Sequence, residues 1–162
     1  MDEIDRKLLA ILQEDCTLSI AAMGEQVGLS PTPCWKRIQK LEAAGVLTRR
    51  VALLDPDSIG MGLSVFVAIE AGDHTPAWLA AFAEGVAAIP EVMAVYRMAG
   101  EVDYMLHVAV ADMAAYDALY KRLIAIAPLK NVTSRFAMER IKHTTAFPLS
   151  GSVFRDRREA EE

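Results

Sequence analysis

The side chains able to act as nucleophiles, acid–base groups or soft metal ligands are Cys16, Cys34, His74, His107 and His143. Their spacing supports none of these roles. Neither cysteine has a second Cys or His at zinc-ligand spacing, and two cysteines are too few for a disulfide framework. They read as buried thiols. The histidines fall in a turn, a strand and the C-terminal end, each without a Cys, Ser or carboxylate that spacing would place beside it. No phosphate-cradling glycine loop and no nucleophile motif is present, so no enzyme, metal or cofactor is expected.

What the chain does concentrate is anion chemistry. Within residues 35–50 the bases Lys36, Arg37, Lys40, Arg49 and Arg50 stand against a single acid, Glu42. The formal net charge of −5 hides this patch, because residues 1–50 hold seven acids and seven bases and the excess acid lies downstream. Phosphate contacts need Lys and Arg, so this patch is where an anion would go.

Three helices position it. Over residues 2–15, Ile4, Leu8, Ile11 and Leu12 share one helical face, with Asp2 as N-cap and Asp5 in the first turn. A second helix follows Ser19, turns Ile20, Met23 and Val27 inward, and ends at Gly28. The third, SPTPCWKRIQKLEAAG over residues 30–45, has Ser30 as its expected cap and Pro31 at its first position, with Gly45 closing it. Cys34, Ile38 and Leu41 recur at helical spacing toward the core. Thr32, Pro33, Trp35, Lys36, Gln39 and Lys40 point away from it, with Arg37 at the border. A tight turn between the second and third helices, followed by a strand or wing in VLTRRVALLD, predicts a winged helix-turn-helix whose third helix enters the major groove, with Ser30, Thr32, Pro33, Trp35, Lys36, Arg37, Gln39 and Lys40 as the candidate DNA contacts. A solvated basic face on a plain three-helix bundle is the alternative; exposed Thr, Trp and Gln among the bases favour DNA. Trp35 either stacks on the sugar-phosphate backbone or packs against a neighbouring helix.

Asp55, Pro56, Asp57, Ser58, Gly60 and Gly62 are turn formers, so residues 51–62 read as a strand and hinge linker between residues 1–50 and a second domain, 63–145. There the pattern gives strands over 63–71, 92–99, 103–110 and 131–141. One helix starts at Thr75 and Pro76, and another is capped by Asp112. This βαββαβ order predicts a ferredoxin-like sandwich and an α+β chain. Leu63, Val65, Val67 and Ile69 alternate with Ser64, Phe66, Ala68 and Glu70; Tyr104, Leu106 and Val108 alternate with Met105, His107 and Ala109. Both faces of the sheet carry apolar area, so a homodimer is expected to cover the second one. Its two reader helices suit a palindromic or pseudo-palindromic double-stranded site. Taken alone, Gly100, Glu101, Val102 and Asp103 read as a hairpin turn or as a loop able to hold a small zwitterion. Residues 146–162 read as a frayed tail.

DRKLLAILQ near the start, LSPTPCWKRI and LEAAGV in the third helix, LDPDSIG in the linker and GEVDY between the middle strands together resemble the Lrp/AsnC family. The resemblance runs from about residue 2 to Leu149. It implies a transcriptional regulator whose second domain senses an amino acid or related metabolite, in dimers that often assemble into octamers. It also implies an effector site at Gly100, Glu101, Val102, Asp103 and Tyr104, with Thr133 and Ser134 of the last strand lining the same pocket. The chain has Pro128-Leu129-Lys130 where the family usually has Pro-Gly-Val. The rival reading is a stand-alone metabolite-binding module or small ferredoxin-like enzyme that does not bind DNA. MDEIDRKLL lacks the layout of a signal peptide and no apolar run approaches bilayer-spanning length, so no membrane partner and a cytoplasmic location are expected.

Overall fold

The computed structural model describes residues 1–149. It divides into two compact units, one of residues 1–52 joined by the C-terminal segment from Lys142, the other Leu53–Ile141.

The first unit holds α1 (Glu3–Glu14), α2 (Ile20–Val27) and α3 (Pro31–Ala43). Leu8, Leu12, Met23, Cys34 and Ile38 form its core, each from the face that helical spacing assigns. Gly28 and Gly45, at φ 73° and 69°, end α2 and the turn after α3. Gly24 works differently. It lies inside α2, where alanine would ordinarily be the better helix former, but a Cβ there would sit 2.5 Å from the Leu29 carbonyl oxygen. That backbone belongs to the turn into α3, which the Leu29 N–H closes by donating to the Gly24 carbonyl at 2.8 Å. Gly24→Ala is therefore expected to destabilise the unit by about 1–3 kcal/mol, the cost of overpacking, and to lower its thermal midpoint. A midpoint that rises would show that the turn yields.

The second unit is a four-stranded antiparallel sheet in the order β2-β3-β1-β4, built from β1 (Leu63–Ala71), β2 (Val92–Arg97), β3 (Tyr104–Val110) and β4 (Leu129–Phe136). Helices α4 (Pro76–Ala87) and α5 (Met113–Ile124) cover one face. Val65, Val67 and Ile69 of β1 and Leu106 and Val108 of β3 are fully buried there against Phe82, Val86, Leu119 and Leu123. The other face is open. Register places Ala94, His107, Phe66 and Arg135 in one row across it, and Tyr96, Met105, Ala68 and Thr133 in the next. Phe66 and Tyr96 remain exposed, and Phe66 stacks on His107, whose Nε2 lies 2.7 Å from Ser64 Oγ.

Several expectations change, and β2 and β3 run over Val92–Arg97 and Tyr104–Val110 rather than 92–99 and 103–110. Residues 48–54 form no strand: Val51, Leu53 and Leu54 are exposed, and no wing strand occurs there among the described residues. Residues 55–61 are an ordered turn, with Met61 N–H donating to Pro56 O at 2.7 Å and Ser58 Oγ to Asp55 at 2.5 Å. The last strand runs over Leu129–Phe136 rather than 131–141, because its antiparallel partner β1 begins at Leu63 and the Ala137 N–H makes the final bond, to Ser64 O. Ser30 occupies the N-cap of α3 but makes no side-chain cap bond; Pro33 at the third helical position has no N–H to give. In the C-terminal segment, Gln13 both donates to Phe147 O at 2.7 Å and accepts from Phe147 N–H at 2.9 Å, so the chain is held to α1 at that point. The rest of the expected tail, from Ser150, lies outside the described residues.

Candidate functional site

On α3, Cys34, Ile38 and Leu41 seat the helix in the core, which leaves Thr32, Pro33, Trp35, Lys36, Gln39 and Lys40 exposed on the opposite side. Trp35 is 50% exposed, so its indole is not a core side chain. Burial pushes the Cys34 thiol up, away from the reactive thiolate. Glu42, the lone acid of the patch, accepts from Gln39 at 2.8 Å and Arg50 at 2.7 Å. Lys36 and Lys40 make no ion pair among the described residues.

Arg37 is engaged elsewhere. Its Nη1 donates to Asp2 Oδ2 at 2.6 Å and to Asp5 Oδ1 at 2.8 Å. The same two acids cap α1 reciprocally, Asp5 N–H to Asp2 at 2.9 Å and Asp2 N–H to Asp5 at 3.0 Å. The Asp5 N–H and then Arg37 hold the Asp2 carboxyl below its ordinary value, and Asp5 and Asp2 raise Arg37. Lys36, Arg37, Lys40 and Pro33 share a shallow groove of about 490 Å³ with Asp2 and Asp5. The Asp-x-x-Asp spacing at the start of α1 announces such a cap, but nothing local announces its partner on α3.

The loop between β2 and β3 is pinned at one end. Asp103 N–H donates to Ile69 O at 3.0 Å, Met98 N–H donates to Asp103 O at 2.8 Å, and Asp103 Oδ2 accepts from Ala71 N–H at 2.8 Å. Gly100 takes φ 125°, which favours glycine, and nothing lies near its missing Cβ. The N–H groups of Gly100, Glu101 and Val102 make no hydrogen bond among the described residues. Asp103 Oδ1 faces His74 Nε2 at 4.0 Å. The β1–β3 register, with Ile69 opposite Tyr104, brings the segment after β1, and His74 with it, to this loop. Nearby, Asn131 and then Lys130 hold the Glu70 carboxyl low, with Lys130 Nζ 2.9 Å from it.

Three of the residues expected together differ in where their side chains point. The Tyr104 ring is 8% exposed and packs on Phe82 and Trp78 in the core, so only its backbone borders the loop. Thr133 and Ser134 are neighbours in β4 and point to opposite faces: Thr133 to the open one, Ser134 to the helices, where its hydroxyl bonds to that of Tyr116. No cluster of potential metal ligands occurs among the described residues.

Residues 1–42 match the AsnC-type helix-turn-helix domain and residues 64–147 the Lrp/AsnC ligand binding domain. The chain belongs to the Lrp/AsnC family. It is 54% identical to the DNA-binding transcriptional activator DecR of Escherichia coli K12, over 92% of this chain and 99% of that protein. It is 46% identical to the glutamate uptake regulatory protein of Zymomonas mobilis, over 92% and 91%. An AsnC family regulator from Agrobacterium tumefaciens superposes with a TM-score of 0.91 at 54% identity, covering 94% of this chain and all of that one. A Neisseria meningitidis regulator solved with L-Met superposes at 0.88 and 35% identity, covering 92% and 97%. This Lrp/AsnC chain is accordingly a DNA-binding transcriptional regulator, and its relatives are regulators rather than enzymes. No helix among its described residues is long and apolar enough to cross a membrane.

Proposed function

We propose that this regulator works in the cytoplasm as a two-fold dimer, or a higher assembly such as an octamer. Residues 1–50 read DNA, 51–62 form the hinge, and 63–145 bind an amino acid that alters assembly or the placement of the readers. The DNA contacts come from α3: Thr32, Pro33, Trp35 and Gln39 toward the groove, Lys36 and Lys40 toward phosphates. The open sheet face, with Phe66 and Tyr96 exposed, supports burial against a second copy. The observation that carries the amino-acid reading is the L-Met complex of a relative that matches almost the whole chain. The free N–H groups of Gly100, Glu101 and Val102 suit a carboxylate, and Asp103 Oδ1 suits an ammonium.

A thermal-shift screen of the twenty standard amino acids tests this, because a ligand that binds only the folded chain raises its melting temperature. Asp103→Asn is the informative variant. It keeps an oxygen for the Ala71 N–H while removing the charge, so the loop stays in place. Affinity for the hit should fall by about 1.5–3 kcal/mol, the worth of a charge-assisted hydrogen bond. An unchanged titration would remove Asp103 from the site.

A further inference from the structure

The capping box of α1 is a closed network. Each carboxylate oxygen of Asp2 and Asp5 has one partner, and the two not used by the α1 backbone both accept from Arg37 Nη1. A cap ordinarily serves its own helix; this one reaches a residue 35 positions from Asp2 and 32 from Asp5. Asp5 is buried and Arg37 only partly exposed, so the link lies on the inner edge of α3. Two carboxyl side chains surround the single guanidinium. A DNA phosphate reaching Arg37 would meet both carboxylates, which opposes it there while leaving Lys36 and Lys40 open to it.

We propose that Arg37 is a positioning residue of the DNA reader: the Asp2–Asp5 box holds it, and through it fixes the angle at which α3 presents Lys36 and Lys40. The proposal rests on α3 being the helix that contacts DNA. It removes Arg37 from the phosphate contacts suggested by the local basic patch.

The test is binding of the full chain to a duplex selected from random sequence by the wild-type protein, measured by filter binding across a salt series. Arg37→Gln should weaken binding about fivefold while the slope of log affinity against log salt stays at the wild-type value. Lys36→Ala lowers that slope by about one for each reader helix bound. Asp5→Asn added to Arg37→Gln should cause no further loss, because both cut the same link. Asp2→Asn alters an exposed side chain outside the core and should give the same signature, weaker binding with the slope kept, even where Arg37→Gln fails to fold. A slope lower by about one for each reader helix bound in Arg37→Gln, or unchanged or tighter binding by Asp2→Asn, overturns the proposal. Unaltered affinity and slope in Lys36→Ala would instead refute the reading of α3 as the DNA helix.

Discussion

Alanine at both Lys36 and Lys40 lowers the salt dependence of DNA binding by about two units per reader helix. Affinity at fixed salt falls more than about a hundredfold, since charge-assisted hydrogen bonds contribute about 1.5–3 kcal/mol each. The expectation follows from which bases are available. Of the five in residues 35–50, Arg37 is held by Asp2 and Asp5 and Arg50 by Glu42. Lys36 and Lys40 stand one helical turn apart on the exposed face of α3, so both can follow one phosphate strand. Filter binding of the double variant across a salt series reads both quantities. A wild-type slope would place the phosphate contacts on another part of the chain.

Phe82→Ala destabilises the second unit by about 3–5 kcal/mol, the range for a large aromatic removed from a core that cannot close over the gap. Phe82 is 2% exposed and packs against two rings, Trp78 at 4.9 Å and Tyr104 at 4.7 Å. Neither can move in. The Trp78 indole N–H is fixed to Pro128 O at 2.8 Å, and Tyr104 is in a strand bonded on both sides. Hydrogen-exchange mass spectrometry should show β1 and β3 amides losing protection while α1 keeps its own. Equal loss in α1 would mean that the two units unfold together. Because Tyr104 adjoins Asp103, the same variant should also loosen the loop between β2 and β3.

The first strand, β1, was legible in full, since its alternation is bounded by Gly62 and Gly72 and its partners cover its whole length. The last strand was not, because its end is set by where β1 stops rather than by its own residues. Strand parity held more than was drawn from it. Tyr104 shares a face with Leu106 and Val108, which already directs its ring inward, and adjacent Thr133 and Ser134 cannot share a face. The helical core around Cys34 and Ile38 followed directly from periodicity. The Arg37 link did not, because an ion pair across 32 residues leaves no mark in local composition.

The chain has two tryptophans, and each unit holds one of them: Trp35 half-exposed on α3, Trp78 buried to 6% exposure on α4. Their intrinsic emission should differ in wavelength, the exposed indole red-shifted and the buried one blue-shifted. DNA that reaches α3 quenches the first, and a ligand that reshapes the sheet unit perturbs the second. The regulator thus carries its own pair of spectroscopic reporters, one on each half of its task, and Trp35→Phe leaves the second to be followed without a label.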